Sequence, residues 1–239
     1  MINGPLYPNQ PLINVATEIR FRGDLKVESI RPEFHRTIRG DFPQLMVPQA
    51  ERGVAPALQH YRFENDLSSH GVQVAVHSFS YYSRDYPGHE AFLAVVDSLL
   101  EEFVRLIGVL HVNRIGWRYI NAIPFARENG LVPLHRFFGQ IFGMELRRDH
   151  LFTSADMRAT LPTNDMQLNL ALKTVESKDA PQEESFLLDI DAFKTYESQA
   201  MDANDVMGVI RQSHACGYSI FESVITKDYR AYLVGEDSG

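Results

Sequence analysis

Arg114 and Arg118 sit four residues apart in the stretch His111–Phe125, with Gly116 between them and the chain's one tryptophan at Trp117. The segment reads as a long β-strand. At a period of two, Arg114, Gly116, Arg118 and Ile120 face one way, and Asn113, Ile115, Trp117 and Tyr119 the other. Two guanidinium groups on one face, with no side chain at the glycine to crowd them, suit a planar or anionic group or a buried ion-pair network. The same period gathers other charges: Glu18, Arg20 and Arg22 in one segment, Arg62 and Glu64 in a second, Asp189 and Asp191 in a third. If these strands share a sheet, their polar rows share a surface. Arg20, Arg62, Arg114, Arg118, Asp189 and Asp191 are the candidate binding residues on this reading. The bland alternative is a solvated outer face laced with cross-strand ion pairs worth about 0.2–1 kcal/mol each.

Other chemistry is weaker. Asp189 and Asp191 resemble a carboxylate pair for Mg²⁺, but no third acidic ligand stands at a supporting spacing, so no metal is expected. The nine histidines form no His-x-His or His-Glu-x-x-His pattern. His89 follows Pro87-Gly88 and reads as a local cap. His214 and Cys216, two apart on a helix, point in different directions and make no nucleophile–base pair. Phosphate-binding glycine loops and the Gly-x-Ser-x-Gly elbow are missing, and no cofactor is expected.

The elements that must position these residues follow from hydrophobic period. Leu12–Arg22 alternates as a strand with Val15, Thr17, Ile19 and Phe21 inward. Val27–Arg39 reads as a short helix with Pro32 near its start, and Phe42–Pro56 as a loop. Leu58–Asn65 and Val72–Ser83 are expected strands. Glu90–Ile107 is a strongly amphipathic helix that Gly108 ends. After the strand at 110–124 come a helix at Val132–Phe142 and strands at Leu151–Leu161, Met166–Val175 and Phe186–Ile190. Glu176–Glu184 reads as a solvent loop. A last helix begins near Ala203 behind Asp202, runs to about Val224, and restarts after Ile225-Thr226 to carry Tyr229–Leu233. The expected fold class is α+β: a curved, mostly antiparallel sheet with helices on one face. The order also suggests a pseudo-duplicated β-α-β-β-α unit within one domain, residues 1–239, with halves at about 11–108 and 109–234.

Composition narrows the function. The 239 residues are 44% hydrophobic and 23% charged, ordinary for a globular chain. A formal charge of −8 argues against coating nucleic acid, though a local basic groove stays open. One cysteine, Cys216, leaves no intrachain disulfide and fits a reducing compartment. No run approaches a membrane span and the first residues lack a signal-peptide pattern, so a cytoplasmic protein is expected.

Several segments together resemble a sporadically distributed family of uncharacterised prokaryotic proteins of about 240–270 residues. They are Pro11-Leu12 with Glu18-Ile19-Arg20-Phe21, Tyr61-Arg62-Phe63, and Tyr86 followed by Phe92. Then come Arg114-Ile115-Gly116-Trp117-Arg118-Tyr119-Ile120-Asn121, Leu187-Leu188-Asp189-Ile190-Asp191, and His214 with Phe221-Glu222-Ser223-Val224-Ile225-Thr226. The Arg-Tyr-Ile-Asn segment is the most specific and adds Asn121 to the candidate binding residues. Trp117 stands where an aliphatic residue is expected. The resemblance implies an accessory gene of the sort found in defence or toxin–antitoxin neighbourhoods. It implies no activity and no cofactor. The expected function is therefore a non-catalytic binding or assembly protein, homo-oligomeric with a dimer favoured, that meets a partner through the Arg/Asp face or the C-terminal helix. The alternative is an enzyme or effector that binds a nucleotide or another small anion at Arg114, Arg118, Asp189 and Asp191.

Overall fold

The computed structural model describes residues 6–47, 60–163, 165–176 and 183–236. Its elements run β1 (Leu12–Phe21), α1 (Lys26–Ile38), β2 (Gln44–Met46), β3 (Tyr61–Glu64), β4 (His70–Ala75), β5 (Ser78–Ser83), α2 (His89–Ile107) and β6 (Leu110–Phe125). They continue with α3 (Leu134–Phe137), β7 (Gln140–Ile141), β8 (Met144–Glu145), β9 (Asp156–Thr163), β10 (Met166–Glu176), β11 (Glu184–Met201), α4 (Ala203–Val224) and α5 (Lys227–Leu233). The fold is α+β, with a large antiparallel sheet and helices on one side. Among the described residues, nine strands make that sheet in the order β2-β3-β4-β5-β1-β6-β11-β10-β9, and β7 pairs with β8 separately. The expected repeat of a β-α-β-β-α order is not confirmed. Among the described residues no helix is long and apolar enough to cross a membrane.

Two compact units divide the chain. One holds Asn14–Trp117 with Phe193–Ser213; the other holds Met1–Ile13, Arg118–Ala192 and His214–Gly239. In the first, β1 buries Val15, Thr17, Ile19 and Phe21, as alternation demands. Helix α2 buries Phe92, Val96, Leu99, Leu100, Phe103 and Ile107 on one stripe. Gly88 and Gly108 bracket it at φ 94° and 95°, angles that favour glycine. Aromatic edges lock this core: Phe34 meets the rings of Phe63, Phe79 and Phe103 at 5.7–6.3 Å. In the second unit, Phe125 stacks on Phe186 at 4.1 Å, and Phe137 contacts both Phe186 and Tyr229.

Several expectations are corrected. Val72–Ser83 is not one strand but a hairpin, with β4 and β5 paired Val74 to Phe79 around Val76-His77. Pro32 lies well inside α1, not near its start. The helix expected at Val132–Phe142 is only Leu134–Phe137, because Phe138 turns extended and bridges to Ile225. Phe186–Ile190 is the buried section of the 18-residue β11. At the start of α2 the N-cap position is Gly88, without a side-chain bond, and the His89 ring lies 3.0 Å from Glu90. Part of the Phe42–Pro56 loop, the start of the 58–65 strand and most of the 176–184 spacer lie outside the described residues; Gln44–Met46 is a strand.

Candidate functional site: an arginine–aspartate sheet face

Along β6, Leu110 and Val112 are buried near its start and Ile115, Trp117, Tyr119 and Ile123 further on. Asn113 is exposed instead of joining the apolar row.

In the first unit, the Arg114 side chain is mostly buried and its Nη1 lies 3.2 Å from Glu18 Oε2. Glu18 also accepts from Arg20 Nε at 2.8 Å, so one carboxylate holds two arginines. The Arg114 guanidinium lies over the Phe193 ring, 4.3 Å from its centroid. Gly116 makes room for this stack. A Cβ there would stand 3.0 Å from Arg114 Nη1 and 3.0 Å from Phe193 Cβ. The gap at the glycine is therefore filled by the protein's own cation and ring. Arg62 joins a different cluster, 3.7 Å from Glu64 Oε1, and Tyr82 donates its hydroxyl to the same carboxylate oxygen. Burial works to raise the Glu64 pKa, but hydrogen bonds from Tyr82 and Ser68 and the nearby Arg62 and Arg84 hold it below the usual carboxylate range.

In the second unit, Arg118 grips Asp189 with two hydrogen bonds, Nε to Oδ1 at 2.8 Å and Nη2 to Oδ2 at 2.5 Å. This fork-to-carboxylate match is what arginine provides and lysine cannot. Asp191 accepts from Asn169 Nδ2 at 3.2 Å, and Asn169 Oδ1 accepts from Thr160 at 2.8 Å. Thr160 and Asn169 are direct cross-strand partners in the β9–β10 register. Arg118, Arg158, Thr160, Asn169, Asp189 and Asp191 line a cleft of about 440 Å³. Asn121 stands elsewhere: it is buried on the row of Tyr119, and its amide donates to the Leu188 carbonyl at 3.3 Å. The candidates thus form three groups. Arg20 and Arg114 meet on Glu18, Arg118 and Asp189 meet beside Asp191, and Arg62 pairs with Glu64.

Sequence reasoning missed Arg158, Thr160 and Asn169, whose signal was their own alternation on the two strands after Leu151. It also missed Phe193, the next residue in the period-two row of Asp189 and Asp191. A second pair went unforeseen: Ser78 Oγ lies 2.9 Å from His60 Nε2. Ser78 is 1% exposed, so this serine–histidine contact is closed to a substrate and works as a structural hydrogen bond. His214 and Cys216 do diverge, His214 to Tyr119 Oη at 2.5 Å and Cys216 to Thr163 Oγ1 at 3.5 Å. Among the described residues, no group of three or more His, Cys, Asp or Glu is placed to hold a metal ion.

No protein-family model matches the chain, and no curated protein matches it.

Proposed function

We propose that the chain is a non-catalytic binding or assembly protein of an accessory prokaryotic system, and that it meets a protein partner through the Arg/Asp-lined sheet face of the second unit. The observation that carries this reading is the bidentate Arg118–Asp189 pair beside the Thr160–Asn169–Asp191 chain. Here the guanidinium is engaged by the protein's own carboxylate. An anionic substrate would have to displace Asp189, whereas a protein surface can dock on a face that is already charge-balanced and hydrogen-bonded. The family resemblance supports an accessory role of the same kind.

A second reading rests on cleft size. About 440 Å³ falls within the range of small-molecule sites, and Arg118 and Arg158 both border it. Thermal denaturation of the full chain over a hundredfold concentration range, repeated with phosphate, nucleoside triphosphates and Mg²⁺, separates the two. Assembly predicts a melting temperature that rises with protein concentration and is unmoved by these ligands. Stabilisation by an anion at saturating concentration, about 2.7 kcal/mol at one hundred times Kd, overturns the assembly reading if Arg118→Ala abolishes it.

A further inference from the structure

Among the described residues, strand β9 ends the nine-stranded order, so one side of it carries no strand. Its hydrogen-bonding phase follows from the Thr174 N–H, which donates to the Ala155 carbonyl at 2.8 Å. In an antiparallel ladder the bonded pairs alternate. With Leu170 opposite Ala159, Met157, Ala159 and Leu161 bond inward to β10, while Asp156, Arg158 and Thr160 aim their N–H and C=O groups off the rim. Pro162 falls in the outward phase as well, where its missing N–H removes no bond to β10. The outward residues are exposed, and so is Leu161 on the other row.

We infer that β9 pairs with the β9 of a second copy of this chain about a two-fold axis at Met157. This inference rests on the assembly reading above and names its partner. The charge pattern selects the register. Pairing centred on Arg158 would set guanidinium against guanidinium. Pairing centred on Ala159 would set Asp156 against Pro162, which has no amide to offer. Pairing centred on Met157 sets Asp156 against the partner's Arg158 and Arg158 against the partner's Asp156, on hydrogen-bonded positions of one face. A two-fold contact must be self-complementary, and this one is. Within a single chain Asp156 and Arg158 touch only at 3.7 Å and remain 61% and 74% exposed, so both are available to pair across the axis. Arg158 and Thr160 also border the cleft, so the edge carries the Arg/Asp face into the interface.

The test uses light scattering and sedimentation velocity on the full chain and three variants. The wild type is expected as a dimer that dissociates on dilution, since a strand-to-strand rim is a small interface. Asp156→Arg and Arg158→Asp should each weaken the dimer by at least about tenfold, because each places like charges opposite one another twice. An equimolar mixture of the two single variants should restore dimers, as a cationic edge then meets an anionic one. The double variant Asp156→Arg/Arg158→Asp should dimerise alone. Far-UV circular dichroism and melting temperature verify that each variant folds. A dimer indifferent to both reversals overturns this edge and leaves the assembly reading standing. A wild type that stays monomeric at the highest soluble concentration overturns the edge dimer, while the ligand panel judges the assembly reading independently.

Discussion

Replacing Gly116 with alanine tests whether the gap between the two strand arginines is structural. The new Cβ would lie 3.0 Å from both Arg114 Nη1 and Phe193 Cβ, and 3.2 Å from Arg114 Nη2. The guanidinium can retreat, but Phe193 Cβ is fixed by the β11 backbone and the residue is only 7% exposed. Overpacking of this kind costs about 1–3 kcal/mol. Alanine's lower unfolded-state entropy returns roughly 0.5–1 kcal/mol. If Arg114 swings away, its stack on Phe193 goes as well, worth about 0.5–1 kcal/mol or more. The balance is a net loss of about 1–2 kcal/mol. For a chain of this size that lowers the melting temperature by roughly 2–8 °C. Urea unfolding should show a lower midpoint at an unchanged slope. A Gly116→Ala/Phe193→Ala cycle should then recover at least about 0.5 kcal/mol, since the truncated ring gives way. A Gly116→Ala protein as stable as wild type, or one whose loss persists unchanged without the Phe193 ring, refutes the argument.

Two further outcomes are expected. Asp202→Ala should cost about 1 kcal/mol, seen as a fall in melting temperature of about 2–4 °C. Asp202 Oδ1 accepts from the Asp205 amide at 2.9 Å at the start of α4, and the Asp205 side chain reaches back to the Asp202 amide, a capping box. Acidification should lower the melting temperature in two stages. Burial holds the His60 pKa below its ordinary 6.5 and, with smaller effects of Arg20 and His77, outweighs the pull of Glu18. The Glu64 pKa is also lowered in the fold. For both groups the unfolded chain binds the proton first, so stability is fully present above the ordinary pKa and is lost as pH falls from there through the lower folded pKa. The His60 stage lies below about pH 6.5 and the Glu64 stage below about pH 4.5. A melting temperature that is flat between pH 7.5 and 5, or one that rises on acidification, contradicts this assignment.

The parts of the fold legible in the sequence are those in which local and tertiary forces agree. Helices α4 and α5 begin where Asp202 and Thr226 provide caps; Thr226 Oγ1 accepts the Tyr229 amide at 3.1 Å. Strand β1 was legible because every second residue but Thr17 is apolar. The segment 132–142 misled because Leu134, Phe137, Phe138 and Ile141 are spaced for a helix, yet the apolar faces of Phe137 and Phe138 are taken by Phe186, from far along the chain. Phe142 and Gly143, at φ 53° and 73°, then turn the chain back into a small hairpin. The far end of β11 was illegible for the opposite reason: Lys194–Gln199 is polar, so its extension carries no hydrophobic signal. For the candidate site, period two identified which side chains lie on one face of a strand. It could not identify their cross-strand partners, because register comes from tertiary pairing. Arg118 was therefore assigned a surface before Asp189 could be assigned to Arg118.

Pro162 has a wider consequence for how this molecule behaves in crowded solution. An open β-rim is a template, and templates left uninterrupted grow fibres. Here the exposed amides stop at Thr160, and the next outward position has no proton to give. A newcomer strand finds a short, charge-coded landing strip instead of an endless one, which permits one finite handshake and starves runaway stacking.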